Sequence, residues 1–166
     1  VPSSTGNGMT ERRVLSLPNE AATASFASAL LERLPPNPAG WTLLLEGELG
    51  AGKSTFARAL IRAMGHAGPV PSPTYTLIEP YELDRATIYH VDLYRIASPD
   101  ELHYLGWDEL DDGLRLVEWP DRAPELMEQA DFSLRLSYEG DGRRAELSAV
   151  SGRAAALLEG WPNPPA

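Results

Sequence analysis

Apolar positions recur with two periods along the chain, and the segments that carry them alternate. Residues 14–17 read as a short strand. From Asn19 the period changes. Phe26, Leu30 and Leu34 fall on one helical face with Ala27 and Leu31 beside them, which predicts a helix to about residue 34. Asn19 suits its N-cap, and Pro35-Pro36 stops it. Residues 41–46 (WTLLLE) are apolar on both faces, the pattern of a buried parallel strand. A second helix follows over 53–64, with Phe56, Leu60, Ile61 and Met64 as its buried stripe and Gly65 at its end. Residues 74–81 and 87–94 are rich in Thr, Tyr, Ile and Val, and a turn near 83–85 joins them as a hairpin or edge ribbon. Ser98-Pro99-Asp100-Glu101 has the composition of a capping box and predicts a third helix. Residues 114–118 (LRLVE) read as another buried strand. Residues 132–138 alternate, Gly140-Asp141-Gly142 turns the chain, and 145–150 pairs back. A last helix is expected over 153–158. The sum is an α/β fold, a mainly parallel central sheet extended by antiparallel strands.

The 166 residues suit one compact domain. Residues 1–10, rich in Ser, Gly and Pro, are expected to form a disordered leader with Met9 as the natural start. Residues 11–160 form the domain and 161–166 a frayed tail. No apolar run is long enough to span a bilayer. The absence of cysteine excludes a disulfide scaffold, a thiolate metal site and a cysteine nucleophile, and fits a cytoplasmic protein. A net charge of −10 argues against direct nucleic-acid binding, because phosphate neutralisation supplies most of that affinity. If RNA matters, another subunit holds it.

The 14 basic residues are 13 arginines and one lysine, Lys53. One position that keeps lysine against such a bias needs a compact point charge rather than a planar fork. Lys53 stands in Gly47-Glu48-Leu49-Gly50-Ala51-Gly52-Lys53-Ser54, a full match to G-x-x-x-x-G-K-[ST]. In that pattern glycines let successive amides point into one anion nest, and the next helix adds its positive terminus. The lysine reaches the β- and γ-phosphates, and the Ser54 hydroxyl ligates Mg²⁺. The motif lies between a predicted strand and an amphipathic helix, the context of a P-loop NTPase-like three-layer sandwich. Residues 48–55, through Thr55, are thus the candidate phosphate site.

Mg²⁺ also needs a carboxylate, and in P-loop folds a neighbouring strand supplies it. Asp92, in YHVDLYR, and Glu118, before Trp119-Pro120, are the candidates; a surface carboxylate is the alternative for each. Glu118 gains because it ends an apolar strand, where ligand sites collect. The hydroxyls of Ser72-Pro73-Thr74-Tyr75-Thr76 can serve as a switch loop or simply lead into a strand. By pattern alone His90 and Arg95 read as satisfied structural residues, and Trp107 and Trp119 as packing.

LEGELGAGKSTFARAL, SPTYTLIEPY, IYHVDLYR and LVEWPDR, in this order, resemble the bacterial TsaE (YjeE) family over residues 17–151. That resemblance implies a protein that binds and slowly hydrolyses ATP with Mg²⁺, and that joins TsaD and TsaB in making threonylcarbamoyladenosine at tRNA position 37. It implies contact with tRNA only through that complex. It makes Lys53 the phosphate-binding lysine, Ser54 and Glu118 the metal ligands, Asp92 the acidic residue for hydrolysis and Thr74 part of a switch-like segment. It places Trp119 beside the site. The LPNEAAT start matches the family's LPxExAT, which puts Glu20 and Thr23 near the nucleotide base. Ser54 stands where Thr is more usual, and Asn19 where Asp is frequent. Three other readings compete. A P-loop small-molecule kinase needs an arginine-dense lid, and Arg143-Arg144 lies instead on a hairpin turn. A GTPase-like switch needs an Asn-Lys-x-Asp motif that the chain lacks. A non-catalytic module would keep the loop for stability alone.

Overall fold

The computed structural model describes residues 11–73 and 76–161. Seven strands form one sheet: β1 (Arg12–Leu17), β2 (Thr42–Glu46), β3 (Ile78–Glu82), β4 (Thr87–Asp92), β5 (Leu114–Glu118), β6 (Phe132–Glu139) and β7 (Gly142–Ala149). Their spatial order is β1-β7-β6-β2-β5-β4-β3. The four central strands, β6, β2, β5 and β4, pair in parallel, and β3 on one side and β7 and β1 on the other pair antiparallel. The parallel core with antiparallel flanks matches the expectation from hydrophobic pattern.

Alternation along the strands assigns the two faces. Leu43 and Leu45 of β2, Ile88 of β4 and Leu114 and Leu116 of β5 point to a core shared with helices α1 (Glu20–Arg33), α2 (Lys53–Ala63) and α4 (Gly152–Glu159). Leu44, Val91 and Val117 point the other way, toward α3 (Glu101–Tyr104) and the 3₁₀ segments Trp107–Asp112 and Pro124–Glu128. The two cores make three layers, and full burial of a Phe56 or Leu60 side chain contributes roughly 2 kcal/mol. On the antiparallel flank the second face is polar, with Arg135 and Ser137 of β6 and Arg144, Glu146 and Ser148 of β7 left at or near the surface.

The caps explain where elements begin. Asn19 accepts the Ala22 amide at 2.9 Å to open α1, and Ser151 accepts the Ala154 amide at 3.2 Å to open α4. The third helix forms where its cap predicts and is short. Glu101 does reach back to the amides of Ala97 and Ser98, but α3 holds only four residues, and Gly106, at a φ of 83°, turns the chain into the 3₁₀ segment. A local cap thus forms without the propagation that a longer apolar face would drive. Trp41 lies just before β2 rather than in it; its amide bonds to Pro38, and its carbonyl still accepts from Arg115. The sheet flank is longer than its apolar signal, since β1 starts at Arg12 and β7 at Gly142.

Candidate functional site

The loop between β2 and α2 is shaped by three glycines. Gly47, Gly50 and Gly52 have φ values of 145°, 82° and 109°, a region that side chains strain. Space is restricted as well. A Cβ on Gly47 would overlap the Leu136 carbonyl oxygen, and one on Gly50 would lie 2.6 Å from the Tyr138 hydroxyl. Gly52 is the N-cap of α2 and has no side chain to bond the first amides of the helix. Those amides are the donors that an anion needs.

Lys53 is the first residue of α2, and its side chain folds back. The ammonium donates to the Gly47 carbonyl, and to the Glu48 carbonyl at 3.1 Å, and sits 4.0 Å from the centre of the Trp119 ring. Burial pushes its pKa below the usual lysine value of 10.5, while Glu118, Asp92, Asp121 and Glu48 pull the other way. Trp119 gains its place at a cost. It follows β5 with a φ of 59°, rare for a non-glycine residue, and packs on Tyr94 with ring centroids 4.9 Å apart.

The acidic residues come from two adjacent parallel strands. Asp92 and Glu118 are partners in the β4–β5 register, both at the carboxyl ends of their strands. They share the sheet face that runs under α2. Asp92 is 4% exposed and accepts the Tyr94 amide at 2.9 Å. Glu118 is 3% exposed and accepts from the Ser54 hydroxyl, at 3.2 Å to one oxygen and 3.4 Å to the other. Its second oxygen also meets His90 Nε2 at 2.6 Å.

These residues line a cavity of about 340 Å³ that includes Lys53, Ser54, Thr55, Asp92, Glu118 and Trp119. A second cavity of about 200 Å³ adjoins it through Gly52, Thr55 and Arg143; Asn19, Glu20 and Thr23 form its far wall. Fourteen-residue α1 thus carries Glu20 and Thr23 to the phosphate loop from a different part of the chain. Leu49 and Gly50 line the first cavity and Ala51 the second. Glu48 stays on the rim, where its carbonyl holds Lys53. Thr74 and Tyr75 lie outside the described residues.

One side chain was missed in the sequence. Arg143, at the start of β7, donates to the Gly50 carbonyl from Nη2 and to the Ala51 carbonyl from Nε, both at 3.1 Å. Its guanidinium rests on the Tyr138 ring, whose hydroxyl bonds the Leu49 carbonyl. The β6–β7 hairpin therefore braces the loop from outside. No local pattern marks such a contact, because 92 positions separate Arg143 from Ala51. His90 was read as structural, and its bond to Glu118 ties it to the site.

The donor set fits a nucleotide with Mg²⁺. Among the described residues no group of three or more His, Asp or Glu side chains is arranged to hold a metal alone. Mg²⁺ does not require one. It binds through one or two protein oxygens and completes its shell with phosphates and water, and the Ser54 hydroxyl beside Glu118 could supply those oxygens.

Comparison with known proteins agrees with the geometry. A family model described as threonylcarbamoyl adenosine biosynthesis protein TsaE matches residues 17–146. The chain is 38% identical over 121 residues to the tRNA threonylcarbamoyladenosine biosynthesis protein TsaE of Haemophilus influenzae, covering 72% of this chain and 77% of that one. It is 40% identical over 130 residues to the protein of the same description from Rickettsia conorii, covering 77% and 73%. The crystal structure of YdiB from Bacillus subtilis superposes with a TM-score of 0.69 at 28% identity, over 92% of this chain and 95% of that one. With the family match running from the end of β1, through the phosphate loop and both acidic strands, into β7, the chain belongs to the TsaE family.

Proposed function

We propose that the joined cavities hold ATP with Mg²⁺, and that the residues around them carry a slow hydrolysis. Membership of the TsaE family makes the chain a component of tRNA threonylcarbamoyladenosine biosynthesis and an accessory ATPase in it. The observation that carries the site reading is the convergence of Lys53, Ser54, Asp92 and Glu118 on one cavity at the open end of α2.

Each residue has a task set by its position. The amides of 49–55 and the terminus of α2 receive the phosphates. The Lys53 ammonium exchanges two backbone carbonyls for phosphate oxygens, whose negative charge offsets the burial that lowers its pKa. Ser54 and Glu118 hold Mg²⁺, which when bound neutralises charge building on the phosphate oxygens. Asp92 orients the attacking water. Thr74 belongs to the switch-like segment. Glu20 and Thr23 line the cavity that receives the base, with Asn19 beside them. The chain acts with TsaD and TsaB and meets tRNA through them, and its place is the cytoplasm; among the described residues no helix is long and apolar enough to cross a membrane.

Reconstitution of tRNA modification with TsaD and TsaB, followed over several turnovers, tests this reading. Modification that continues past the first turnover only when the chain and ATP are present is the expected result. Lys53→Ala lowers ATP turnover about a hundredfold, the loss of one preorganised charge on the transition state. Unchanged turnover in that variant, or equal modification without the chain, overturns the proposal.

A further inference from the structure

We infer that His90 is a positioning residue for the metal-binding carboxylate: its Nε2–H holds one oxygen of Glu118 from beneath so that the carboxylate stays turned toward Ser54. This inference rests on the reading of Glu118 as a ligand of Mg²⁺. It adds a residue that the composition of the phosphate loop does not require.

The placement comes from the sheet. His90 sits opposite Leu116 in the β4–β5 ladder, one side-chain repeat before the Asp92–Glu118 pair. Period-two alternation puts His90, Asp92 and Glu118 on the same face as Ile88, Leu114 and Leu116. The imidazole is therefore below the carboxylate and away from the cavity, which it does not line. It is 1% exposed, and its Nε2 lies 2.6 Å from Glu118 Oε2. Among the described residues Glu118 has two side-chain partners: His90 on one side and the Ser54 hydroxyl on the other.

A buried carboxylate held by one flexible hydroxyl would rotate about its last torsion. A ring fixed in a β-strand core removes that freedom, as the outer partners of metal ligands do elsewhere. The second nitrogen identifies the donor. Among the described residues His90 Nδ1 is buried with no hydrogen-bond partner. A proton there would be a stranded donor, whereas a lone pair there leaves the ring proton on Nε2, facing the carboxylate. The orphaned nitrogen thus selects the tautomer that donates to Glu118.

The test uses the full chain as wild type, His90→Leu, His90→Gln and Glu118→Gln. Mn²⁺ binding in the presence of ADP is followed by electron paramagnetic resonance, and ADP binding in EDTA by calorimetry. The His90→Leu variant should weaken Mn²⁺ about tenfold, the lower end of the effect of removing such an outer partner. Its ADP affinity in EDTA should stay within about twofold, and His90→Gln, whose amide reaches a similar point as a donor, should recover most of the loss. Mn²⁺ affinity within about twofold of wild type in His90→Leu, while Glu118→Gln loses it, overturns the role of His90 alone. Unchanged affinity in Glu118→Gln overturns the metal reading beneath it. If His90→Leu fails to fold, nitrogen-15 spectra of wild type decide: a ring proton on Nε2 supports the inference, and one on Nδ1 overturns it.

Discussion

At the scale of single residues, the glycines and the lysine of the loop carry strain and desolvation, the cost expected of a loop shaped for a ligand. Gly47→Ala would drive a methyl into a backbone carbonyl that belongs to β6 and cannot swing aside, while Gly50→Ala meets the far end of the Tyr138 side chain. The first should therefore cost about 3 kcal/mol or more and the second less, as read by chemical denaturation. Lys53 gives a prediction in pH. Its folded pKa is lowered from 10.5 by burial, so the unfolded chain binds more protons at this group across the interval between the two values. Stability of the nucleotide-free protein should rise with pH through that interval. In Lys53→Met the rise should vanish, and denaturant midpoints at pH 8 and 10 check it. Trp119 offers an optical probe, since its ring lies against the Lys53 ammonium proposed to meet the phosphates. Trp119→Phe should remove most of the fluorescence change that ATP with Mg²⁺ produces.

At the scale of elements, the hairpin of β6 and β7 is a brace for the phosphate loop. Arg143→Ala removes two charged donors from the Gly50 and Ala51 carbonyls, so nucleotide affinity should fall about tenfold with the melting temperature little changed. Equal loss of affinity and fold would show that the hairpin matters only for stability. A different staple joins β2, β6 and α4. Asp131, just before β6, accepts the Thr42 amide, the Ser151 hydroxyl and the Arg153 guanidinium. Burial acts to raise its pKa, but these donors outweigh it and the folded value falls below 3.8. Its contribution is present above 3.8 and is lost as pH drops through the lowered value. Asp131→Asn should cost about 2 kcal/mol near neutral pH and flatten the acid limb of the stability profile. The elements with strong period or clear punctuation were legible in the sequence: α1 from Asn19 and its apolar face, β2 and β5 from runs that are apolar on both sides, the loop from its glycines. What escaped notice was of long range. Nothing near Arg143 announces a contact with Ala51, and the tie between His90 and Glu118 needs the register of two strands. The third helix was legible from its cap, a local signal, and its brevity was not, because no apolar face follows to extend it.

For the whole molecule, the balance of charge separates chemistry from cargo. A chain at −10 that gathers Asp92 and Glu118 around its one lysine has charge to manage a metal and a polyphosphate, not a nucleic-acid backbone. Alone, it should retain no tRNA in a mobility-shift experiment at physiological salt. The candidate site lies on the sheet face covered by α2, while Arg135 and Ser137 of β6 and Arg144, Glu146 and Ser148 of β7, on the polar face of the flank, line neither cavity. The composition also has a practical side. Because Lys53 is the sole lysine, the ε-amine inventory of this protein is a single group, and the fold has seated it in the cleft. Acylating reagents, so often scattered over a surface, are confined here to the chain's amino terminus and one interior address. Labelling stoichiometry by intact mass becomes a direct gauge of occupancy, one acyl group lighter wherever a ligand has closed the way in.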